Sequence, residues 1–275
     1  MAQIAKPWQL GYQDAASPVM REIVGFHDLL LVIITAITAF VLLLLLYVMV
    51  RFRASRNPTP SRTSHNTLLE VVWTVLPVAI LVLIAVPSFK LLYLSDRTEA
   101  ADMTIKITGR QFAWSYEYVD QDGMAFDSNL ACQDLPSGGE DPCVAAGKEL
   151  WHTGGKPAIR LLDVDNPLVV PVNTTVRVLV TSDPDGVIHS WALPAFGVKL
   201  DAVPGRVNET WFRVEREGSY YGQCSELCGT GHGFMPIKVI AMSQADYDAW
   251  LTRAKEQFAL RRGEQKPTRL AAVAR

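Results

Sequence analysis

The sequence predicts a membrane-anchored all-β architecture: a two-helix transmembrane hairpin followed by an antiparallel β-sandwich. Three observations carry this. Leu29 to Val50 and Val71 to Phe89 are uncharged apolar runs, each close to the roughly 20 residues an α-helix needs to cross a bilayer. A polar, basic stretch separates them. From Met103 onward the pattern changes to short β-branched and aromatic runs punctuated by Gly, Pro and Asp, with no helical period joining them.

Two such runs so close together argue against buried helices of a soluble protein. Pro77 and Pro87 interrupt the second run, a pattern membrane helices tolerate better than soluble ones. The first run is too long for the apolar region of a secretory signal and lacks a following small-residue cleavage site. Arg51, Arg53, Arg56 and Arg62 stand between the runs with no acidic residue, whereas Lys6 and Arg21 before the first run are offset by Asp14, Glu22 and Asp28. The positive-inside rule therefore places loop 51–66 in the cytoplasm and both chain ends outside. The expected organisation is an extracytoplasmic segment 1–26, a hairpin 27–94, an extracytoplasmic β domain 95–242, and a C-terminal helix and tail 243–275.

Within the β domain, Thr104 to Thr108 alternates polar and apolar residues and Phe112 to Val119 is aromatic-rich. Leu168 to Thr181, Thr210 to Val214 and Pro236 to Ala241 favour β-branched residues. Turns at Asp183 to Gly186 and Val203 to Gly205 separate these runs, as expected of a sandwich. Asp127 to Pro157 reads as a long inserted loop. Ser243 to Phe258 reads as a helix, with a Ser cap, early Asp246 and Asp248, and late Arg253 and Lys255; the residues after Arg261 read as a tail. From Asp96 to Ala245 there are twenty acidic and twelve basic residues, an excess that either solvates the surface or steers a basic partner onto it. With a formal net charge of −2, the chain is not read as a nucleic-acid binder.

Four cysteines fall in two pairs. Cys132 and Cys143, in a Gly- and Pro-rich stretch outside the membrane, are expected to form a disulfide that closes the inserted loop. Cys224 and Cys228 belong to a segment richer in chemistry, Gln223 to Met235, which also holds His232 and Met235. His189 lies upstream, expected at the end of a strand. Two thiols, two imidazoles and a thioether are soft donors that favour copper over hard cations. Two thiolates on one short loop can bridge two metal ions. A Cys224–Cys228 disulfide and a tetrahedral zinc site are the alternatives, although zinc leaves Met235 without a role; a mononuclear blue-copper site needs only one of the two thiols.

The segment Gln223 to Met235 closely resembles the copper loop of cytochrome c oxidase subunit 2. Further stretches resemble that family in its order: Trp8 to Pro18, Glu70 to Pro77, Trp114 to Tyr118, His189 to Trp191 and Asp201 to Arg206. The resemblance implies a cupredoxin-like fold for the β-sandwich and a dinuclear CuA centre of two copper ions. Cys224 and Cys228 would bridge the coppers, His189 and His232 would terminate one each, Met235 would be a weak ligand to one, and the Glu226 carbonyl would bind the other. The Glu226 carboxylate would reach a magnesium or manganese ion shared with oxidase subunit 1. Electrons would enter from reduced cytochrome c or another soluble donor and pass to haem in subunit 1, where oxygen reduction and proton pumping occur. The implied setting is the bacterial cytoplasmic membrane, with the copper domain periplasmic and subunits 1 and 3 as partners.

The resemblance also implies a proton-pathway entrance at Glu70 and donor docking by Glu117, Asp165 and Asp185. One departure stands out. The family's usual Trp-aromatic-Trp pattern, whose first Trp is the electron entry point, is here Phe112-Ala-Trp114, and Arg110 replaces a common His. A changed donor interface around Phe112 and Trp114 is therefore expected. Three other classes are disfavoured. Quinol oxidase subunits of this architecture have lost the copper ligands, nitrous oxide reductase needs a large second catalytic domain, and a copper carrier has no need of Glu70.

Overall fold

A computed structural model describes residues 2–59, 61–96, 100–131, 150–154 and 158–264. Helices α1 (Pro18–Arg51) and α2 (Thr67–Asp96) are the apolar pair. Their spanning stretches are exposed around the whole circumference, a surface that only lipid or other apolar helices can cover. Helix α1 starts at Pro18, nine residues before the expected start of the hairpin. Its first turn explains why: the Met20 amide donates to Ser17 Oγ at 3.0 Å, and Pro18 occupies the first helical position, where its missing N–H costs nothing. Helix α2 is capped in the same way, with the Leu69 amide donating to Asn66 Oδ1 at 3.1 Å. The chain divides into two compact units, Arg21–Leu94 on one side and Met1–Met20 with Ser95–Arg275 on the other.

The second unit is a two-sheet sandwich. One sheet runs β4 (Met124–Ser128), β3 (Ala113–Tyr118), β2 (Met103–Arg110), β6 (Thr175–Ser182), β9 (Asn208–Arg213). The other runs β5 (Leu168–Pro171), β11 (Pro236–Met242), β10 (Gly218–Cys224), β7 (His189–Leu193), β8 (Val198–Ala202). A short N-terminal strand β1 (Ala2–Gln3) adds to β10. Pairing is mostly antiparallel; β2–β6, β5–β11 and β1–β10 are parallel. The expected single run Leu168 to Thr181 is split because Asn173 adopts φ +59° between β5 and β6, a left-handed turn that Asn tolerates. His189 opens a strand rather than ending one, since the turn at Asp183 to Gly186 lies just before it.

Alternation decides what is inside. Ile105 and Ile107 of β2, Trp114, Tyr116 and Tyr118 of β3, and Val176, Val178 and Val180 of β6 are all fully buried. The opposite sheet contributes Trp191, Leu193, Tyr220, Ile237 and Val239. Buried polar tips find partners. Tyr118 O–H donates to the Val169 carbonyl at 2.7 Å and accepts from its amide at 2.9 Å, and Trp191 Nε1–H donates to Tyr116 Oη. Helix α3 (Gln244–Glu264), capped by Ser243, packs Tyr247, Trp250, Ala254 and Phe258 on the sandwich; Phe258 stacks on Phe126 at 4.5 Å.

The N-terminal segment is tied to the same unit. The Ala16 amide donates to the Ala195 carbonyl, Ser17 Oγ to the Phe196 carbonyl and the Glu215 amide to the Ala16 carbonyl. On the outer side of β11, Lys238 is buried with Asp163 at 2.5 Å. Its ammonium also donates to His152 Nδ1 at 2.8 Å, while Tyr221 O–H donates to Asp163 Oδ1 and His152 Nε2–H to the Val164 carbonyl. This network fastens the chain on either side of residues 155–157 to the sheet.

Removing one member of a buried ion pair strands the other, so Lys238→Met is expected to lower the stability of the sandwich by about 3–5 kcal/mol, measured by thermal unfolding of the detergent-solubilised chain. Burial, then the Lys238 charge, hold His152 down to about 4 from its usual 6.5. Between these two values the unfolded chain binds a proton that the folded chain refuses. The His152 contribution to stability is therefore level above about pH 6.5 and lost as pH falls toward 4. His152→Gln is expected to flatten that part of the stability–pH curve.

Candidate metal centre

Cys224 ends β10 and Met235 immediately precedes β11, two strands paired along their length from Gly218↔Ala241 to Gln223↔Pro236. The loop between them is thus pinned at both ends. At the same end of the sheet β10 also pairs with β7, with Cys224 opposite Trp191, which brings His189 to the loop. Cys224, Cys228, Met235 and His189 are buried.

The donor atoms lie close together. His189 Nδ1 is 3.9 Å from Cys224 Sγ, the two Sγ atoms are 3.9 Å apart, His232 Nδ1 is 3.6 Å from Cys228 Sγ, and Met235 Sδ is 3.6 Å from Cys228 Sγ. The Glu226 carbonyl oxygen lies 3.4 Å from Cys224 Sγ. Donors sharing a four-coordinate metal at about 2.1–2.3 Å stand roughly 3.4–3.8 Å from one another, so these contacts fit a metal centre. Both cysteines are free, and their separation is well beyond the ~2.05 Å of a disulfide. Soft donors of this kind fit copper.

Among the described residues, His189, Cys224 and Cys228 form a group whose donor atoms all lie within 4.8 Å of one another. His232 belongs with Cys228 and Met235 instead. Burial, then the neighbouring Cys224, push the Cys228 thiol up to about 12, and burial lowers His189, with Asp183 opposing and His232 reinforcing the shift. Metal binding must displace the thiol protons.

Two glycines shape the pocket. A Cβ on Gly231 would sit 2.1 Å from Phe112 Cγ, and one on Gly109 would sit 2.9 Å from His189 Cδ2. The ring of Phe112 therefore lies against the loop beside His232, and the His189 imidazole lies against β2. Trp114 is fully buried, with Nε1–H donating to the Met235 carbonyl at 3.1 Å and its ring edge-on to His189. Half-buried Phe112, not Trp114, is the aromatic side chain of this pair that reaches toward solvent.

The remaining expected residues are dispersed. Glu226 is exposed. Glu117 pairs with Lys106 at 3.6 Å, the Asp165 carboxylate accepts from the Asn129 backbone and side chain, and Asp185 is exposed on the turn before β7. Glu70 lies in the first turn of α2, in the other unit. Cys132 and Cys143 lie outside the described residues. The sequence singles out neither Ser190, although it sits in the His189 to Trp191 stretch, nor Lys199, which no local motif marks; the hydrogen bonds of both reach the loop.

A pair of helices apolar enough to span a membrane, followed by a cupredoxin-like sandwich with a buried cluster of two Cys, a His and a Met, defines a membrane-anchored domain with a site that copper would fit. The family model for the periplasmic domain of cytochrome c oxidase subunit II matches residues 148–242, and the model for its transmembrane domain matches residues 5–91. The chain is 50% identical over 245 residues to the "Probable cytochrome c oxidase subunit 2" of Rickettsia bellii (strain RML369-C), covering 89% of this chain and 84% of that one. It is 45% identical over 250 residues to cytochrome c oxidase subunit 2 of Cereibacter sphaeroides, covering 91% and 82%. The crystal structure of the periplasmic domain of subunit II of cytochrome oxidase of Bradyrhizobium japonicum is 46% identical, with a TM-score of 0.48, over 59% of this chain and 99% of that chain. The chain belongs to the cytochrome c oxidase subunit 2 family, components of the haem-copper oxidase complex.

Gly231→Ala is expected to displace Phe112 at a cost of roughly 1–3 kcal/mol and to weaken copper retention. Adding Phe112→Ala should restore retention at least in part, measured as copper per chain after dialysis against a chelator. Equal loss in the single and double variants would show that the ring does not set the loop.

Proposed function

We propose that this chain is the electron-entry subunit of a haem-copper terminal oxidase and holds a dinuclear copper centre. The distribution of donors on either side of the two thiols carries the reading. His189 stands beside Cys224, and His232 with Met235 beside Cys228, an arrangement that supports two similar metal positions sharing both sulfurs rather than one tetrahedral ion. Each position gains one imidazole. Met235 completes the Cys228 side and the Glu226 carbonyl the other. Such a pair of coppers supplies one-electron transfer with the charge spread over both ions.

The chain's own contribution is rigidity. The loop is pinned by β10 and β11, wedged by Phe112 and hydrogen-bonded through Trp114, so the ligands are held for either oxidation state with little rearrangement. Electrons arrive from reduced cytochrome c or another soluble donor at the face around Phe112, with Glu117, Asp165 and Asp185 in the docking surface. They leave for haem in subunit 1. Asp185 is the exposed member of that set; the pairing of Glu117 and the hydrogen bonds of Asp165 lower their weight as docking charges. Phenylalanine in place of the family's Trp removes an indole N–H from this face, and a donor interface different from that of the relatives follows. The exposed Glu226 carboxylate binds magnesium or manganese shared with subunit 1, and Glu70 collects protons for that subunit. Subunit 3 completes the assembly. The copper domain and both termini lie in the periplasm, and the loop 51–66 in the cytoplasm.

Loaded with copper, the full chain in detergent is expected to bind two coppers and give a mixed-valence electron paramagnetic resonance signal with a near-infrared band. Cys228→Ser should abolish that signal. A mononuclear copper spectrum from the unaltered chain would overturn the dinuclear reading. For the donor, Phe112→Trp in the assembled oxidase is expected to change turnover with soluble donors; unchanged turnover with every donor tested would remove the case for an altered interface.

A further inference from the structure

Lys199 lies in β8, two strands before the loop in sequence and beside the strand that carries His189. Its register partner on β7 is Ala192. Its Nζ donates to the Ser225 carbonyl at 2.9 Å, to Ser225 Oγ at 3.0 Å and to Ser190 Oγ at 3.5 Å. The Ser225 amide in turn donates to the Ser190 carbonyl at 3.0 Å. Ser190 is fully buried and follows His189; Ser225 follows Cys224 and precedes Glu226. One ammonium therefore joins the residue after the histidine to the residue after the first cysteine.

We propose that Lys199 is a positioning residue that sets both the geometry and the reduction equilibrium of the copper centre, a role that rests on the copper reading above. The positioning half follows from the hydrogen bonds. Holding the Ser225 carbonyl fixes the peptide between Cys224 and Glu226, and with it the direction of the Glu226 carbonyl. The strand-to-loop bond from Ser225 to Ser190 keeps His189 and Cys224 in step. The electrostatic half follows from the charge. Reduction adds an electron to the centre, and a cation hydrogen-bonded to the backbone beside Cys224 stabilises the electron-richer state. Lys199 is exposed, so solvent screens this effect and keeps it small.

Three variants of the full chain in detergent, each loaded with copper, separate the two halves. Lys199→Gln keeps an N–H donor for the Ser225 carbonyl and drops the charge. It is expected to retain the mixed-valence signal while the equilibrium constant for reduction, read by redox titration, falls about three- to tenfold. Lys199→Arg should stay within roughly twofold of the unaltered chain because the charge remains. Lys199→Met loses both roles; a shifted near-infrared band, or failure to load where the Gln variant loads, supports the positioning half. If the Gln and Met variants match the unaltered chain in both spectrum and reduction equilibrium, Lys199 has neither role. Failure of the copper reading is distinguishable, because it appears as a missing mixed-valence signal in the unaltered chain itself.

Discussion

The pairing of β10 with β11 on one side and β7 on the other is the constraint on which the centre depends. A loop carrying two thiols, an imidazole and a thioether has many conformations, and ordering them costs free energy for every residue fixed. Antiparallel pairing from Gly218↔Ala241 to Gln223↔Pro236 brings the loop's two ends together. The Gln223↔Ala192 and Cys224↔Trp191 register then places His189 beside it. A one-residue slip of β7 would turn His189 to the opposite face of the sheet. The aromatic core that holds this register, Trp114, Trp191, Tyr116 and Phe212 among others, therefore belongs to the function as much as the ligands do.

The surroundings of the centre are built to resist movement. Above the loop, Phe112 occupies the space that side chains at Gly229 and Gly231 would need. Below it, Trp114 bonds the Met235 carbonyl. At its start, Lys199 and Ser190 hold Ser225. Further along the same strands, the buried Lys238–Asp163 pair with His152 and Tyr221 ties the chain on either side of residues 155–157 to the outer face of the sheet. Buried networks of this kind are high in stake because each member is costly to strand. This one is fully partnered at Lys238 and Asp163, so it adds rigidity near the centre without leaving an unpaired charge.

The two units obey different solvents. In the sandwich, apolar side chains alternate inward and nearly every large aromatic is buried. In α1 and α2 the apolar residues point outward all round, because their interior is the bilayer and the partner helices. The same hydrophobic preference thus yields opposite surface patterns within one chain. Ser17 and Pro18 mark the change, one capping α1 and bonding to the Phe196 carbonyl of the sandwich, the other opening the helix.

The sequence by itself determined the helix pair, the sandwich class, the spacing of Cys224, Cys228, His232 and Met235, and the family. These are local properties: uninterrupted apolar runs, period-two alternation, and ligands close together along the chain. It also marked Ser243 as a cap, though the helix runs on to Glu264, beyond the expected Phe258. Only the tertiary structure decided that His189 begins a strand, that Trp114 is buried while Phe112 reaches toward solvent, and that Glu117 and Asp165 are already engaged. The same holds for Gly109, Gly231, Ser190, Lys199 and the Lys238 network. Each acts on a residue remote in sequence, across a sheet or from one strand to another. Such pairings arise only when strand register closes the intervening loops, and a linear pattern of residue types does not encode that register locally.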